Sequence, residues 1–375
     1  MGQYQKSYQV TMHTVGPVFV GSGKEIIKKE YIFMNGRKAV GIPDIQRLYM
    51  ALMKSKKAAA FEEYLLGKGS MSLTEWLERQ RIRESEIKPL LKYTMDCGDA
   101  VIDRGANKLH IMECIKDPYG NPYIPGSSLK GMFRTIFLGA DIIHAPDKYH
   151  REKETMRRES EKKVKRNDYL KSDMDRIEHK AYRVLNRPES KRGDATNDIM
   201  QGFIVSDSEP LSTSDLVLCQ KIDKHVDGME RKLPLLRECI KPDTEIRFTI
   251  TIDTSICKLS GKMIMEAVKI FMSSYYKNFS KAFSEIDLPQ SNYVFCGGGC
   301  GFVSKTILYP LYEKMEGTEM AQRVFEHTMS NTIYRQHKHF KDKQFGVSPH
   351  TIKCTRYQGK LLQMGACKIV KIKLI

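Results

Sequence analysis

The chain has 375 residues, of which 41% are hydrophobic and 9% aromatic, enough apolar side chain to build real cores and to exclude wholesale disorder. Its 62 Lys+Arg against 45 Asp+Glu leave a net charge of +17 and a pI near 9.3, which points to a polyanionic partner such as nucleic acid. No run approaches the roughly 18 to 20 apolar residues of a membrane span, and Met1 to Lys6 lacks the apolar core of a signal peptide, so the expectation is a cytoplasmic protein with no membrane partner.

In chain order, Tyr8 to Val15 alternates as a half-buried strand does, and Pro17 to Val20 extends it to a glycine turn at Gly21-Ser22-Gly23. Glu30 to Met34 followed by Asn35-Gly36 predicts a hairpin, because Asn-Gly takes the positive φ angles of a tight turn; Arg37 to Ile42 is its return arm. Asp44 precedes Ile45, Leu48, Leu52 and Met53 at helical spacing and is placed to cap that helix. Phe61 to Leu91 reads as mostly helical, with Trp76, Leu77 and Leu90 as core. Leu109 to Cys114 is extended, and Pro118 to Pro122 is dense turn chemistry.

Tyr123 to Arg134 comes next. A Pro125-Gly126 turn delivers Ser127 and Ser128 to a helix N-terminus, where free amides and the dipole favour an anion. Lys130 and Arg134 stand four apart on one face, and Phe133 and Phe137 form an adjacent apolar face. Residues 148–192 carry sixteen Lys or Arg against nine Asp or Glu with few large apolar residues, and are expected as an inserted, mobile or helical basic arm outside the core.

Gly202 to Ser208 is a strand with a polar exit. Glu245 to Ile252 alternates cleanly, and Ile264 to Tyr276 follows as an amphipathic helix, so a ferredoxin-like strand and helix rhythm repeats in the second half. Tyr293 to Phe295 runs into Gly297, Gly298, Gly299 and Gly301, then Lys305. Glycines so dense let the backbone approach a ligand and aim amides at phosphate oxygens, without the spacing of a nucleotide-hydrolysing loop. Cys367 to Leu374 is a last strand, whose Lys368, Lys371 and Lys373 suit an edge protected against aggregation. Nine scattered cysteines read as free buried thiols; the closest pair, Cys296 and Cys300, has no second pair at zinc spacing, so no metal and no cofactor are expected.

Pro-Val-x-Val-Gly-Ser-Gly at 17–23, Tyr-Ile-Pro-Gly-Ser-Ser-Leu-Lys-Gly-Met-Phe-Arg at 123–134, Val-Ser-Asp-Ser at 205–208 and Gly-Gly-Gly-x-Gly-Phe at 297–302 resemble the RAMP superfamily of CRISPR effector subunits. The segment from Ser348 to Tyr357, with Gln363 to Ile369, resembles the fifth-subunit family of type III-A (Csm) complexes. The resemblance implies an α+β fold of two tandem ferredoxin-like, RRM-related domains, here expected as 1–240, with a basic, partly helical insertion at about 141–200, and 241–375. It implies a non-catalytic subunit that holds the 3′ spacer end of the guide RNA (crRNA). The implied partners are crRNA, single-stranded target RNA, the repeating backbone RAMP subunit and the small helical subunit.

The residues expected to contact RNA are Gly21, Ser22, Gly23, Ser127, Ser128, Lys130, Arg134, Gly297, Gly298, Gly299, Gly301, Lys305, His350, Lys353 and Arg356. Phe19 and Cys300 depart from the family, whose corresponding loops often carry His and Thr, which weakens side-chain catalysis there. The alternative is an endoribonuclease of the same superfamily. It would draw on His13, His110, His144 or His350 for proton transfer, or on Asp44 in an acidic loop, but none of these sits in a recognisable acid/base constellation.

Overall fold

A computed structural model describes residues 4–100, 110–162, 165–191, 193–286 and 291–375. Its fourteen strands are β1 (Gln5–Thr14), β2 (Gly21–Ile26), β3 (Ile32–Met34), β4 (Ala39–Pro43), β5 (Leu91–Asp96), β6 (Ile111–Cys114), β7 (Phe203–Val205), β8 (Leu216–His225), β9 (Glu230–Ile240), β10 (Glu245–Asp253), β11 (Tyr293–Phe295), β12 (Thr351–Tyr357), β13 (Lys360–Gln363) and β14 (Ala366–Leu374). They form two sheets, one of five strands in the order β11-β14-β1-β10-β7 and one of nine. The fold is mixed α+β.

The alternation read in β1 and β10 sets the first sheet. Val10 stands opposite Phe248, Met12 opposite Ile246 and Tyr8 opposite Ile250, so one face of the antiparallel pair is apolar throughout. That face is covered by two long helices, Gly126–His144 and Gly261–Asn278. Phe133 and Phe137 of the first helix meet Phe203 of β7 at 5.7 and 5.3 Å between ring centroids. The helices come close at Gly139, where a Cβ would lie 2.5 Å from the Phe271 ring. Burying each phenyl group contributes about 1.5–3 kcal/mol.

In the second sheet β2, β6, β9, β8, β5, β4 and β3 lie in that order, and β8 forks. Val217 near its start pairs with Asp96 of β5, whereas Ile222 to His225 pair with β12, which in turn pairs with β13. The hairpin at Asn35-Gly36 forms as expected, with φ of 50° and 63°. Asp44 caps the helix Ile45–Lys54 by accepting from the Gln46 and Arg47 amides at 3.1 and 3.2 Å. Trp76 packs with Phe61 and Tyr64 in a small separate core, and Leu77 is buried with them.

Two expectations are corrected, on the glycine turn and on the basic stretch. Gly21 to Gly23 open a strand and do not end one, because β2 pairs with β6 across an irregular register. The expected boundary at 240/241 falls between β9 and β10, yet β1 pairs with β10 on one side and β14 on the other, so strands from both parts share one sheet. The nine-stranded sheet is assembled from excursions that leave and rejoin the five-stranded one. Finally, the basic stretch at 148–192 is helical over His150–Glu159 and Lys171–Tyr182, and it contributes Tyr149, Met156, Tyr169, Leu170, Ile177 and Tyr182 to the main core. Those apolar residues are spaced widely enough to be hidden by the surrounding charge. Residues 163, 164 and 192 lie outside the described part.

Candidate nucleic-acid interface

Where the two sheets meet, the segment from Val15 to Val20 passes between β9 and the glycine loop that follows β11. Val18 bridges Ile240, and the Gly298 amide donates to the Phe19 carbonyl at 2.6 Å. Gly297 has φ +76°, and a Cβ there would collide with the same carbonyl. This contact is possible only for glycine. Gly21 closes the junction from the other side, 2.9 Å from the Phe19 ring at its would-be Cβ. The two glycine segments singled out from the sequence are therefore brought together, with the Phe19 ring between them.

Beneath the second loop lies a cationic ledge. Arg237 of β9 stacks its guanidinium 5.2 Å from the centre of the Phe19 ring, and a Cβ on Gly299, whose φ is +82°, would lie 2.5 Å from its Nη1. Its Nε and Nη1 are buried without a hydrogen-bond partner. Lys221 and Asp223 of β8 and Lys353 of β12 adjoin it: Lys353 Nζ lies 2.9 Å and Lys221 Nζ 3.7 Å from Asp223 Oδ1. Both lysines are 21% exposed and the aspartate 4%. Burial pushes the Lys221 ammonium below its ordinary pKa, and the nearby Lys353 and Arg237 charges push it further, against the pull of Asp223. Two lysines thus share one carboxylate in a half-buried place, with the Arg237 charge close enough to act on Lys221. Gly301, with φ +95°, passes over the aliphatic stem of Lys353.

Of the ledge, only Lys353 was expected from the sequence; Lys221, Asp223 and Arg237 were not. Val217, Cys219, Lys221 and Asp223 alternate along one strand, which is a usable signal, but only strand pairing shows that Arg237 and Lys353 join them. Arg237 carried no local signal.

The other expected contacts are placed elsewhere. The helix N-terminus at Gly126 is occupied from within: its amide donates to Asp207 Oδ1 at 2.7 Å, and the Ser128 amide to the Pro125 carbonyl. A carboxylate of the Val-Ser-Asp-Ser motif therefore fills the place where a phosphate was expected. Ser127 is exposed. Burial lowers the Lys130 pKa, with Asp198 opposing and Arg134 adding to the shift. Arg134 is held by Glu178 and Asp198, each at 2.9 Å, with its guanidinium 4.1 Å from the Tyr182 ring centre, so it fastens the basic insertion to the helix. Ser22 donates to Glu113 at 2.8 Å, Gly23 is open to solvent with φ +85°, and Lys305 is exposed. Arg356 is engaged by both Glu230 oxygens at 2.8 Å.

His350 is only 3% exposed and bonds through Nδ1 to Asp342, which also accepts from His339 at 3.1 Å and Ser348 at 2.6 Å. The three ligand atoms of His339, Asp342 and His350 lie within 4.8 Å of one another. Burial works against the Asp342 charge, but the bonds from His339, His350 and Ser348 outweigh it and hold the carboxyl below its usual range. The carboxylate has three donors already, which makes this a self-satisfied structural network, and it takes His350 out of reach of a surface ligand. All nine cysteines are free and buried, as expected. The Cys296 thiol is pushed up to about 12 by burial, and Cys300 Sγ donates to the Gly297 carbonyl at 3.2 Å. His13 and His110 pair with Glu245 and Glu25 on separate strands.

Comparison with known proteins places this geometry in a family context. The family model described as RAMP superfamily matches residues 11–303. Proteins of two Mycobacterium tuberculosis strains named CRISPR system Cms protein Csm5 are 30% identical over 396 aligned positions, spanning 98% of this chain and 98% of each relative. A Streptococcus thermophilus protein of the same name is 29% identical over 318 positions, 80% of each chain. Among solved structures, a chain of the cryo-EM structure of a Csm-crRNA-target RNA ternary complex of a type III-A CRISPR-Cas system matches with a TM-score of 0.65 at 19% identity, covering 96% of this chain and all of that one. The crystal structure of T. onnurineus Csm5 matches at 0.58 and 17%, with the same coverage. At such identity the structural likeness speaks for the fold.

Proposed function

The chain belongs to the RAMP superfamily, and within it to the Csm5 family, and from that premise we propose that it is a non-catalytic guide-RNA-binding subunit of a type III-A CRISPR complex in the cytoplasm. It holds the 3′ spacer end of the crRNA, contacts the backbone RAMP subunit and the small helical subunit, and supports assembly, guide protection and target RNA binding. The observation that carries the reading is the ledge of Arg237, Lys221 and Lys353 under a glycine loop. Backbone that approaches closely and excess positive charge are what a phosphate chain requires.

We read the five-stranded sheet as a ferredoxin-like unit, since β1, helix, β7, β10, helix and β14 follow a β-α-β-β-α-β path. The second RAMP unit is then interleaved with it and does not follow it in sequence.

Holding RNA needs only amides and charge, whereas cutting it needs a positioned acid and base or a metal. Asp44 spends its carboxylate on a helix cap, and His13, His110, His144 and His350 lie in four separate stretches of the chain. Incubation of the purified chain with repeat RNA and with guide-paired target separates the alternatives. Retention without cleavage is expected; cleavage by the chain alone contradicts the reading and favours the endoribonuclease.

A further inference from the structure

Behind Gly301 the ledge opens into a cavity of 330 Å³. Pockets that hold small ligands start at about 300 Å³, so this one is the size for a single nucleotide and too small for a duplex or a helix. Its walls have two chemistries. Phe302 packs 4.9 Å from Phe325, which stacks on His339 at 4.6 Å, and His337 stacks on His339 at 5.9 Å, so one side presents a row of rings. On the other side Lys221 and Lys353 reach in from the ledge, and Arg237 stands beside them with its two unmet N–H groups. His337 is held below its ordinary pKa by burial, then by His339 and Lys353, against the pull of Asp223.

We propose that this pocket takes one nucleotide of the bound guide RNA, turned out of line with its neighbours, its base against Phe302 and His337 and its phosphate against Lys221, Lys353 and Arg237. A base has a π-face that stacks on aromatic side chains whatever its sequence. A phosphate accepts from the two lysines and offsets the mutual repulsion of the three cations. Asp223 remains as the group that orients the two lysines. The inference rests on the RNA-binding reading above and adds a defined subsite to it.

The test is a set of guide RNAs in which 2-aminopurine replaces one nucleotide at each position in turn, assembled with the full-length chain and the other complex subunits. A nucleotide held against the rings gives a fluorescence change at one position of the guide's 3′ part. That change is expected to be lost in the Lys221→Gln, Lys353→Gln double variant. It is also expected to be lost in Phe302→Leu, which keeps an apolar side chain and leaves the cations in place. Assembly of intact complexes in which every position responds alike overturns the pocket and leaves the RNA-binding reading standing. Persistence of the single-position signal in Phe302→Leu overturns it as well. Guide RNA that never contacts the chain, shown by an absence of crosslinks to it in the assembled complex, overturns both.

Discussion

Arg237 keeps two N–H groups away from water without an acceptor, and each such donor costs about 1–3 kcal/mol while it stays unmet. Arg134, by contrast, is fully employed by Glu178 and Asp198. Arg134→Ala is therefore expected to lower stability by about 1.5–3 kcal/mol, as loss of hydrogen bonds between charged groups does, and to leave RNA affinity unchanged. Denaturant unfolding and RNA titration of the same variant check the two halves of that statement. Asp342 is a second residue whose role is internal. Its folded pKa lies below the unfolded value near 3.9, so its contribution is complete above that value and is lost as the pH falls through the folded one. Asp342→Asn is expected to cost about 3–5 kcal/mol at neutral pH and to flatten the acid limb of the stability curve; an unchanged melting temperature contradicts this. The cap at Asp44 could be read from four residues of sequence because capping is local. The roles of Arg134, Asp207 and Arg237 could not, because each partner lies on an element far away in the chain.

At the level of elements, the glycines of 297–301 divide their work. Gly297 is fixed by the Phe19 carbonyl and its positive φ, so Gly297→Ala strains the junction of the sheets itself and is expected to lower stability by about 2 kcal/mol or more. Gly299→Ala meets the Arg237 guanidinium and is expected to cost RNA affinity more than melting temperature, beyond the strain common to any residue placed at that φ. Equal losses of both quantities in the two variants contradict the division. The strongly periodic elements were legible: β1, β10 and β14, the hairpin at Asn35-Gly36 and the helix Gly261–Asn278 all stand near their expected places. The strands β8, β9 and β12 were not. Their side chains mix charge with apolar residues on the same face, since that face carries the ledge, and so the period of two is blurred. The basic insertion was misread for a related reason, its few aromatic anchors being outnumbered by solvated charge.

Across the whole molecule the two sheets share one chain path, and the features proposed to face RNA gather where the chain crosses between them. Sequence motifs identified the crossing segments and Lys353 but not the rest of what they cover, because Lys221 and Arg237 belong to strands that the motifs do not include. Whether those cations meet phosphates decides the RNA-binding role of the ledge. The most direct measurement is the slope of log affinity against log salt for single-stranded guide RNA, compared between the wild type and the Lys221→Gln, Arg237→Gln, Lys353→Gln variant. Each lost phosphate contact on a single strand reduces the slope by about 0.7, so the variant is predicted to be shallower by roughly 2, with Arg134→Ala indistinguishable from wild type. A slope unchanged in the triple variant, with the fold intact, contradicts the claim that the ledge beneath the glycine loop binds the guide.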